Sequence, residues 1–189
     1  MSSKGIALVT GAAQGIGRAI ALRLADDGFD VAVNDISVSA ELQNLAKEIQ
    51  GRGRTSSIHV ADVSQDEQVK EMIEAVVEKH GSLDVMVANA GVAGPRRMVI
   101  ADVTVEEWDR IMNVNARGTF LSYKYAGLQM VKQGRGGRII GASSLAGKQG
   151  ITVNAYAPGL IETPLMFGSL PTELRASVGT SHVVEHPGD

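Results

Sequence analysis

The sequence predicts an α/β domain built on a doubly wound parallel sheet, on three observations. The 189-residue chain alternates short apolar runs with amphipathic stretches over most of its length. Its first apolar run enters a glycine-rich turn, Thr10-Gly11-Ala12-Ala13-Gln14-Gly15-Ile16-Gly17, and leaves it as a helix. An acidic residue, Asp35, follows the second apolar run. Such alternation specifies parallel strands with helices on both faces and a ligand crevice at the strand C-terminal ends.

The opening carries the most chemistry. Ile6-Ala7-Leu8-Val9 is an apolar run of the kind that makes a buried parallel strand. Gly11, Gly15 and Gly17 let the chain turn tightly and approach a pyrophosphate without Cβ clashes. The helix from about Gly15 to Asp27 offers free N–H groups and a positive dipole end to phosphate oxygens, with Gln14 and Ile16 in the same loop. Gly28 stops it. Val31-Ala32-Val33 is the next strand, and Asp35 lies 18 residues after Gly17, where a carboxylate can accept hydrogen bonds from both hydroxyls of an adenosine ribose. It would repel a 2′-phosphate, and no Arg or Lys stands between the first two glycines. The expected cofactor is therefore NAD (NADH) in preference to NADP. A glycine-rich turn with a surface Asp is the plainer alternative. Strand, glycines, helix, strand and acid in that order argue against it.

The later elements follow in turn. Ala40 to about Gln50 is amphipathic through Leu42, Leu45, Ala46 and Ile49, with Gly51 as its stop. Ser57 to Val60 is a third strand, ending at Asp62-Val63. Ser64 with Glu67 reads as a capping box opening a helix that buries Val69, Met72, Ile73, Val76 and Val77 and stops near Gly81. Asp84 to Ala88 is a fourth strand, running into Asn89-Ala90-Gly91. Thr104 with Glu107 reads as another capping box, opening one long helix to about Gln133. Gly137 to Ala142 is a fifth strand and Ile151 to Ala155 a sixth.

Composition bounds the function. Apolar residues make up 44% and charged residues 21%, ordinary for a globular protein. A net charge of −3 gives no nucleic-acid surface. Arg52–Arg54, Arg96-Arg97 and Lys132–Arg138 read as solvated surface. No cysteine is present, so thiol and disulfide chemistry are excluded, and a reducing, cytoplasmic location is expected. No apolar run approaches a membrane span, and Met1-Ser2-Ser3-Lys4 does not read as a signal peptide. His182-Val183-Val184-Glu185-His186 fits a His-x-x-Glu-His zinc pattern. It stands just before Pro187-Gly188, without a firm helix or a third ligand, and no metal site is assigned.

Taken together, these motifs resemble the short-chain dehydrogenase/reductase family, and the expected fold is its single-domain Rossmann-like form. Gly11, Gly15 and Gly17 match the family's cofactor loop, and Asp62-Val63 its adenine-contacting pair. Asn89-Ala90-Gly91 matches the motif that braces the central sheet beside the cofactor. Asn115 matches the mid-helix Asn of the catalytic tetrad, and Ser144 the substrate-orienting Ser. Pro158-Gly159-Leu160-Ile161-Glu162-Thr163 matches the segment that holds the nicotinamide carboxamide, which implies roles for Pro158, Gly159, Ile161 and Thr163. A Ser at a strand end can equally be a loop residue; the motif around Ser144 favours the substrate role. The resemblance reads residues 1–189 as a single domain, with a cofactor half at 1–91 and an incomplete catalytic half at 92–189.

The departure is as specific as the match. The family carries a Tyr and a Lys four residues apart on the helix after the fifth strand. The Tyr moves the proton; the Lys and the oxidised nicotinamide lower its pKa. This chain has three tyrosines, and four residues after Tyr123, Tyr125 and Tyr156 stand Gly127, Gln129 and Leu160. Only seven residues, Ser144 to Gly150, precede the sixth strand, whereas a parallel crossover needs roughly a dozen or more. The crossover helix and the family's last strand are therefore expected to be missing, as in a truncated or alternatively spliced product.

Two expectations follow. One is an oxidoreductase moving hydride between NAD and a small alcohol or ketone. Val33-Asn34-Asp35-Ile36 and Asn154-Ala155-Tyr156-Ala157-Pro158-Gly159 resemble the diacetyl/acetoin reductase and butanediol dehydrogenase branch. The other is a non-catalytic NAD-binding remnant of such an enzyme. The family's homo-oligomer is not expected, because the missing helix commonly forms part of its interface.

Overall fold

A computed structural model describes residues 2–94, 100–141 and 151–154, with Ile100 and the last four as backbone. Its strands are β1 (Ile6–Val9), β2 (Asp30–Asp35), β3 (Ser56–Val60), β4 (Val85–Ala88), β5 (Gly137–Gly141) and β6 (Ile151–Asn154). Between them run α1 (Gly15–Asp26), α2 (Ala40–Gly51), α3 (Asp66–His80), α4 (Val105–Met112) and α5 (Gly118–Gln133). The six strands form one parallel sheet in the order β3-β2-β1-β4-β5-β6. This is the doubly wound order, and its direction reverses between β1 and β4.

Burial explains why the short strands hold. Every residue of β1 and β4 is buried. Strand alternation sends Ile6 and Leu8 into a core with α3 and α5, and Ala7 and Val9 into a core with α1 and α2. Leu121, Ala126 and Met130 of α5 and Val69, Met72, Ile73 and Val76 of α3 fill the first layer. Leu42, Leu45 and Ile49 of α2 and Ala21 and Ala25 of α1 fill the second. Each fully buried large aliphatic contributes roughly 1.5–3 kcal/mol relative to exposure.

Several boundaries depart from the sequence reading. Asp35 is the last residue of β2, not beyond it. Gly51 is the last residue of α2, and the turn closes at Gly53, at φ +74°, whose N–H donates to Gln50 O. Ser64 does not cap α3. Asp62 captures the Ser64 N–H through Oδ1 at 2.9 Å in an Asx turn, Gln65 becomes the N-cap, and the helix starts at Asp66. The Ser64 hydroxyl instead accepts from Gln65 Nε2.

Thr104 does cap α4, accepting the Glu107 N–H at 3.2 Å, but Glu107 turns its carboxylate to Arg110, so the reciprocal half of the box is not formed. The long helix expected from Thr104 to Gln133 is interrupted by a π turn at Asn113–Arg117. β6 lies parallel beside β5, Gly137 opposite Ile151, so residues 142–150 link two neighbouring parallel strands. Among the described residues no helix is long and apolar enough to cross a membrane.

Candidate dinucleotide cleft

A cleft of about 260 Å³ opens at the C-terminal ends of β1 to β4, where the sheet reverses direction. Gly11, Gln14, Gly15, Ile16 and Gly17 form its floor, and Asn34, Asp35 and Ile36 one end. Ala61, Asp62 and Val63 follow β3; Asn89, Ala90, Gly91 and Val92 follow β4; Val114 comes from the π turn. All cofactor-binding candidates from the first half of the chain thus line one cleft.

The floor is made by absent side chains. Gly11 and Gly15 take φ of +61° and +57°, a region that favours glycine. A Cβ on Gly11 would lie 2.8 Å from Ala90 Cα, and one on Gly17 would collide with Gly11 O and meet the Asn89 amide. The third glycine therefore lets α1 pack against the turn, as dinucleotide folds require. Among the described residues no side chain caps the first turn of α1, although Ser39 and Thr104 cap α2 and α4. Its N–H groups are left for an anion at the positive end of the helix dipole. These residues fit a pyrophosphate.

Asp35 holds a set orientation. Its Oδ2 accepts the Ala13 N–H at 3.0 Å and its Oδ1 the Ile36 N–H at 2.8 Å. Each oxygen keeps a further lone-pair direction for a hydroxyl donor. Asn34, polar inside a buried strand, spends its amide on the carbonyls of Asp35, His59 and Ala61 at 3.1–3.2 Å, tying the end of β2 to β3. Thr10 does the same across the reversal point. Its Oγ1 accepts the N–H groups of Asn89 and Ala90, both at 3.0 Å, while the Asn89 side chain donates to Thr10 O at 2.9 Å and Gly11 O at 3.2 Å.

Asn115 sits in the π turn and clamps the loop after β4. Its Oδ1 accepts the Val92 N–H at 2.8 Å and its Nδ2 donates to Val92 O at 2.9 Å. The Asn115 carbonyl takes the Thr119 hydroxyl at 2.8 Å. Asn115 is thus beside the cleft with its side-chain amide engaged on backbone. Asp62 offers its N–H to Gln68 Oε1 and its carboxylate to Ser64. Val63 packs under Gly118, where a Cβ would come within 2.7 Å of Val63 Cγ2.

Neither described tyrosine lines this cleft. Tyr125 donates to Asp66 Oδ2 at 2.7 Å and receives Lys124 Nζ at 3.0 Å, joining α5 to the start of α3. The Tyr123 hydroxyl is buried beside Gly141 with no hydrogen-bond partner among the described residues, and burial pushes its pKa up. Ser144, Pro158, Gly159, Ile161 and Thr163 lie outside the described residues, as does the His182–His186 motif. Thr10, Ala13 and Asn34 complete the site and were not singled out from sequence for these roles. The readable signal was a hydroxyl and an amide at the ends of otherwise apolar runs.

A six-stranded parallel sheet in this order, with a glycine floor and a β2 carboxylate at its reversal point, defines a Rossmann-like α/β protein. The family model for short chain dehydrogenase matches residues 5–157, and the chain belongs to that family. The short-chain dehydrogenase/reductase eriH of Hericium erinaceus is 42% identical over 220 positions, which cover 100% of this chain and 86% of the relative. The 3-oxoacyl-(acyl-carrier-protein) reductase FabG of Staphylococcus aureus N315 is 36% identical over 203 positions, covering 92% and 81%. A short-chain type dehydrogenase/reductase from Mycobacterium marinum superposes with a TM-score of 0.70 at 39% identity. That match takes in 75% of this chain and 56% of the solved one, so the chain spans little more than half of that relative.

Proposed function

We propose that this chain is an NAD-binding member of the family that has lost most or all of its turnover. The observation that carries the reading is Asp35: a carboxylate at the end of β2, facing the cleft and oriented by the Ala13 and Ile36 amides. A ribose diol can donate to it, and a 2′-phosphate would be repelled, which favours NAD over NADP. Gly11, Gln14, Gly15, Ile16 and Gly17 would hold the pyrophosphate and Asp62 and Val63 the adenine. Asn89, Ala90 and Gly91 would flank the nicotinamide ribose, and Pro158, Gly159, Ile161 and Thr163 would hold the carboxamide.

The nicotinamide supplies the hydride when it is bound; the protein must supply the proton. Ser144 would orient a carbonyl and Asn115 would belong to the same tetrad, but no Tyr-x-x-x-Lys exists in the chain. Acid–base catalysis typically contributes about 10²–10⁴-fold, and that factor is what the chain forgoes. The alignment with the Hericium relative runs over 220 positions while this chain has 189 residues, so part of the relative has no counterpart here. A deletion between Ser144 and Ile151, as in a truncated or alternatively spliced product, accounts for both facts.

The ancestral substrate is a small alcohol or ketone of the acetoin, diacetyl or butanediol kind, and the setting is cytoplasmic. The Staphylococcus relative is by name a reductase of a 3-oxo compound, which supports a ketone–alcohol interconversion for the ancestral enzyme.

Titration with NADH, followed by nicotinamide fluorescence, tests the reading. Saturable binding is expected, weaker for NADPH, and weakened about tenfold or more by Asp35→Ala, the scale of hydrogen bonds to a charged group. No saturable binding by the unmodified chain overturns the reading. Reduction of diacetyl at the rate of an ordinary enzyme would restore full catalysis and remove the loss-of-turnover part.

A further inference from the structure

We infer that Arg110, held by Glu107, is a positioning residue for the loop after β4, and so for the wall of the cleft formed by Gly91 and Val92. The inference rests on the dinucleotide reading of that cleft.

Residues 89–94 run between β4 and the residues before α4, outside any helix or strand, so their backbone polar groups need other partners. Among the described residues three tethers hold them. Thr10 takes the amides of Asn89 and Ala90 at the sheet end. Asn115 takes both polar groups of Val92. Arg110 takes the third position, donating from Nη2 to Ala93 O at 2.9 Å.

The guanidinium is aimed before it meets the loop. Its Nε donates to Glu107 Oε2 at 2.9 Å and its Nη2 to Glu107 Oε1 at 2.7 Å, a bidentate fork that sets the plane of the group. Glu107 is in turn positioned by the Thr104 cap, which takes its N–H. The loop rests directly on α4. A Cβ on Gly94 would lie 3.0 Å from Ile111 Cδ1 and 3.6 Å from Glu107 Oε1. One turn of α4 thus presents a donor to Ala93 and an apolar seat to Gly94, and the same loop lines the cleft through Asn89 to Val92. Without Arg110 the loop keeps its Thr10 and Asn115 ties but loses the outermost, and Val92 gains freedom to leave the wall.

The test uses the full chain in four forms: unmodified, Arg110→Ala, Arg110→Lys, and the exchanged pair Glu107→Arg/Arg110→Glu. Amide hydrogen exchange at Val92 is read without cofactor, and NADH affinity by fluorescence. Arg110→Ala is expected to speed Val92 exchange and weaken NADH binding by about three- to tenfold each, the factor of one net hydrogen bond. Arg110→Lys should recover part of both, since one donor remains. The exchanged pair restores the ion pair but places an acceptor opposite Ala93 O, so it should stay impaired. Unchanged Val92 exchange in Arg110→Ala overturns the inference. So does full recovery by the exchanged pair, because a pairing that only stabilises α4 would explain it. Absence of NADH binding in the unmodified chain overturns the dinucleotide reading, and Val92 exchange alone then decides whether Arg110 holds the loop.

Discussion

Gly17 makes its contribution through an atom it lacks. Its missing Cβ is what allows α1 to start against Gly11 O and the Asn89 amide. Gly17→Ala is therefore expected to cost about 1–3 kcal/mol by overpacking, and to abolish NADH binding by pushing the first turn of α1 off the phosphate position. Gly51→Ala is the matched control: Gly51 lies in α2 with nothing within 4 Å of a Cβ. It should be neutral or stabilising by up to about 1 kcal/mol. Urea unfolding of both variants and an NADH titration of Gly17→Ala check this. At this scale the glycines and Asp35 were legible in the sequence because their chemistry is local: a turn, a backbone approach, a carboxylate at a fixed spacing. The partners that aim Asp35 were not, because the Ala13 N–H belongs to the backbone and carries no side-chain signal.

Among elements, β3 and α3 carry a pH-sensitive contact that the function does not use. The Ser57 hydroxyl lies 2.8 Å from His59 Nε2 and 2.7 Å from His80 Nε2. Burial, then the nearby His80 and Lys79, brings His59 down to about 4. Burial and Lys79 lower His80 as well, with Asp30 opposing. The unfolded chain therefore takes up the His59 proton first as pH falls. The stability is fully present above about 6.5 and drains away between there and about 4. Because the ring is part-exposed, we expect the loss to be on the order of 1–2 kcal/mol. His59→Gln should flatten the stability profile across that window in urea titrations. A slope unchanged by the substitution would place the proton uptake elsewhere.

The element scale also shows where sequence patterns mislead. Ser-x-x-Glu at Ser64 is a sound capping pattern, but Asp62, two residues earlier, captures the chain first. The helical period continues smoothly from Val105 to Gln133. Nothing in it marks the π turn, whose Asn115 is engaged by Val92, a residue 23 positions away.

For the molecule as a whole, two cores lie on opposite faces of one sheet, and the first is completed by Leu121, Ala126, Met130 and Ile139 from later in the chain. On α4 and α5, Trp108, Phe120, Leu128 and Val131 remain exposed at 53–63%. Because only the folded chain can offer the cleft, NADH should raise the thermal unfolding midpoint. At a hundredfold excess over Kd the stabilisation is about 2.7 kcal/mol. Asp35→Ala at the same NADH concentration should lose much of that shift, whereas an equal shift in both forms would mean that NADH binds away from Asp35. Differential scanning fluorimetry reads both.

By itself the sequence determined the α/β class, the alternation of strands and helices, the glycine floor, the acid at the end of β2 and the lack of a Tyr-x-x-x-Lys pair. All of these rest on period, spacing or residue identity within one stretch of chain. Tertiary structure alone decided the strand order β3-β2-β1-β4-β5-β6 and the placement of β6 beside β5. It also decided the Thr10 and Asn115 ties that shape the cleft, and the Arg110 contact with Ala93. The reason is that each joins groups from different elements. A hydrogen bond to a distant backbone carbonyl follows from which elements pack together, and that is settled by the burial of whole faces, not by any one segment.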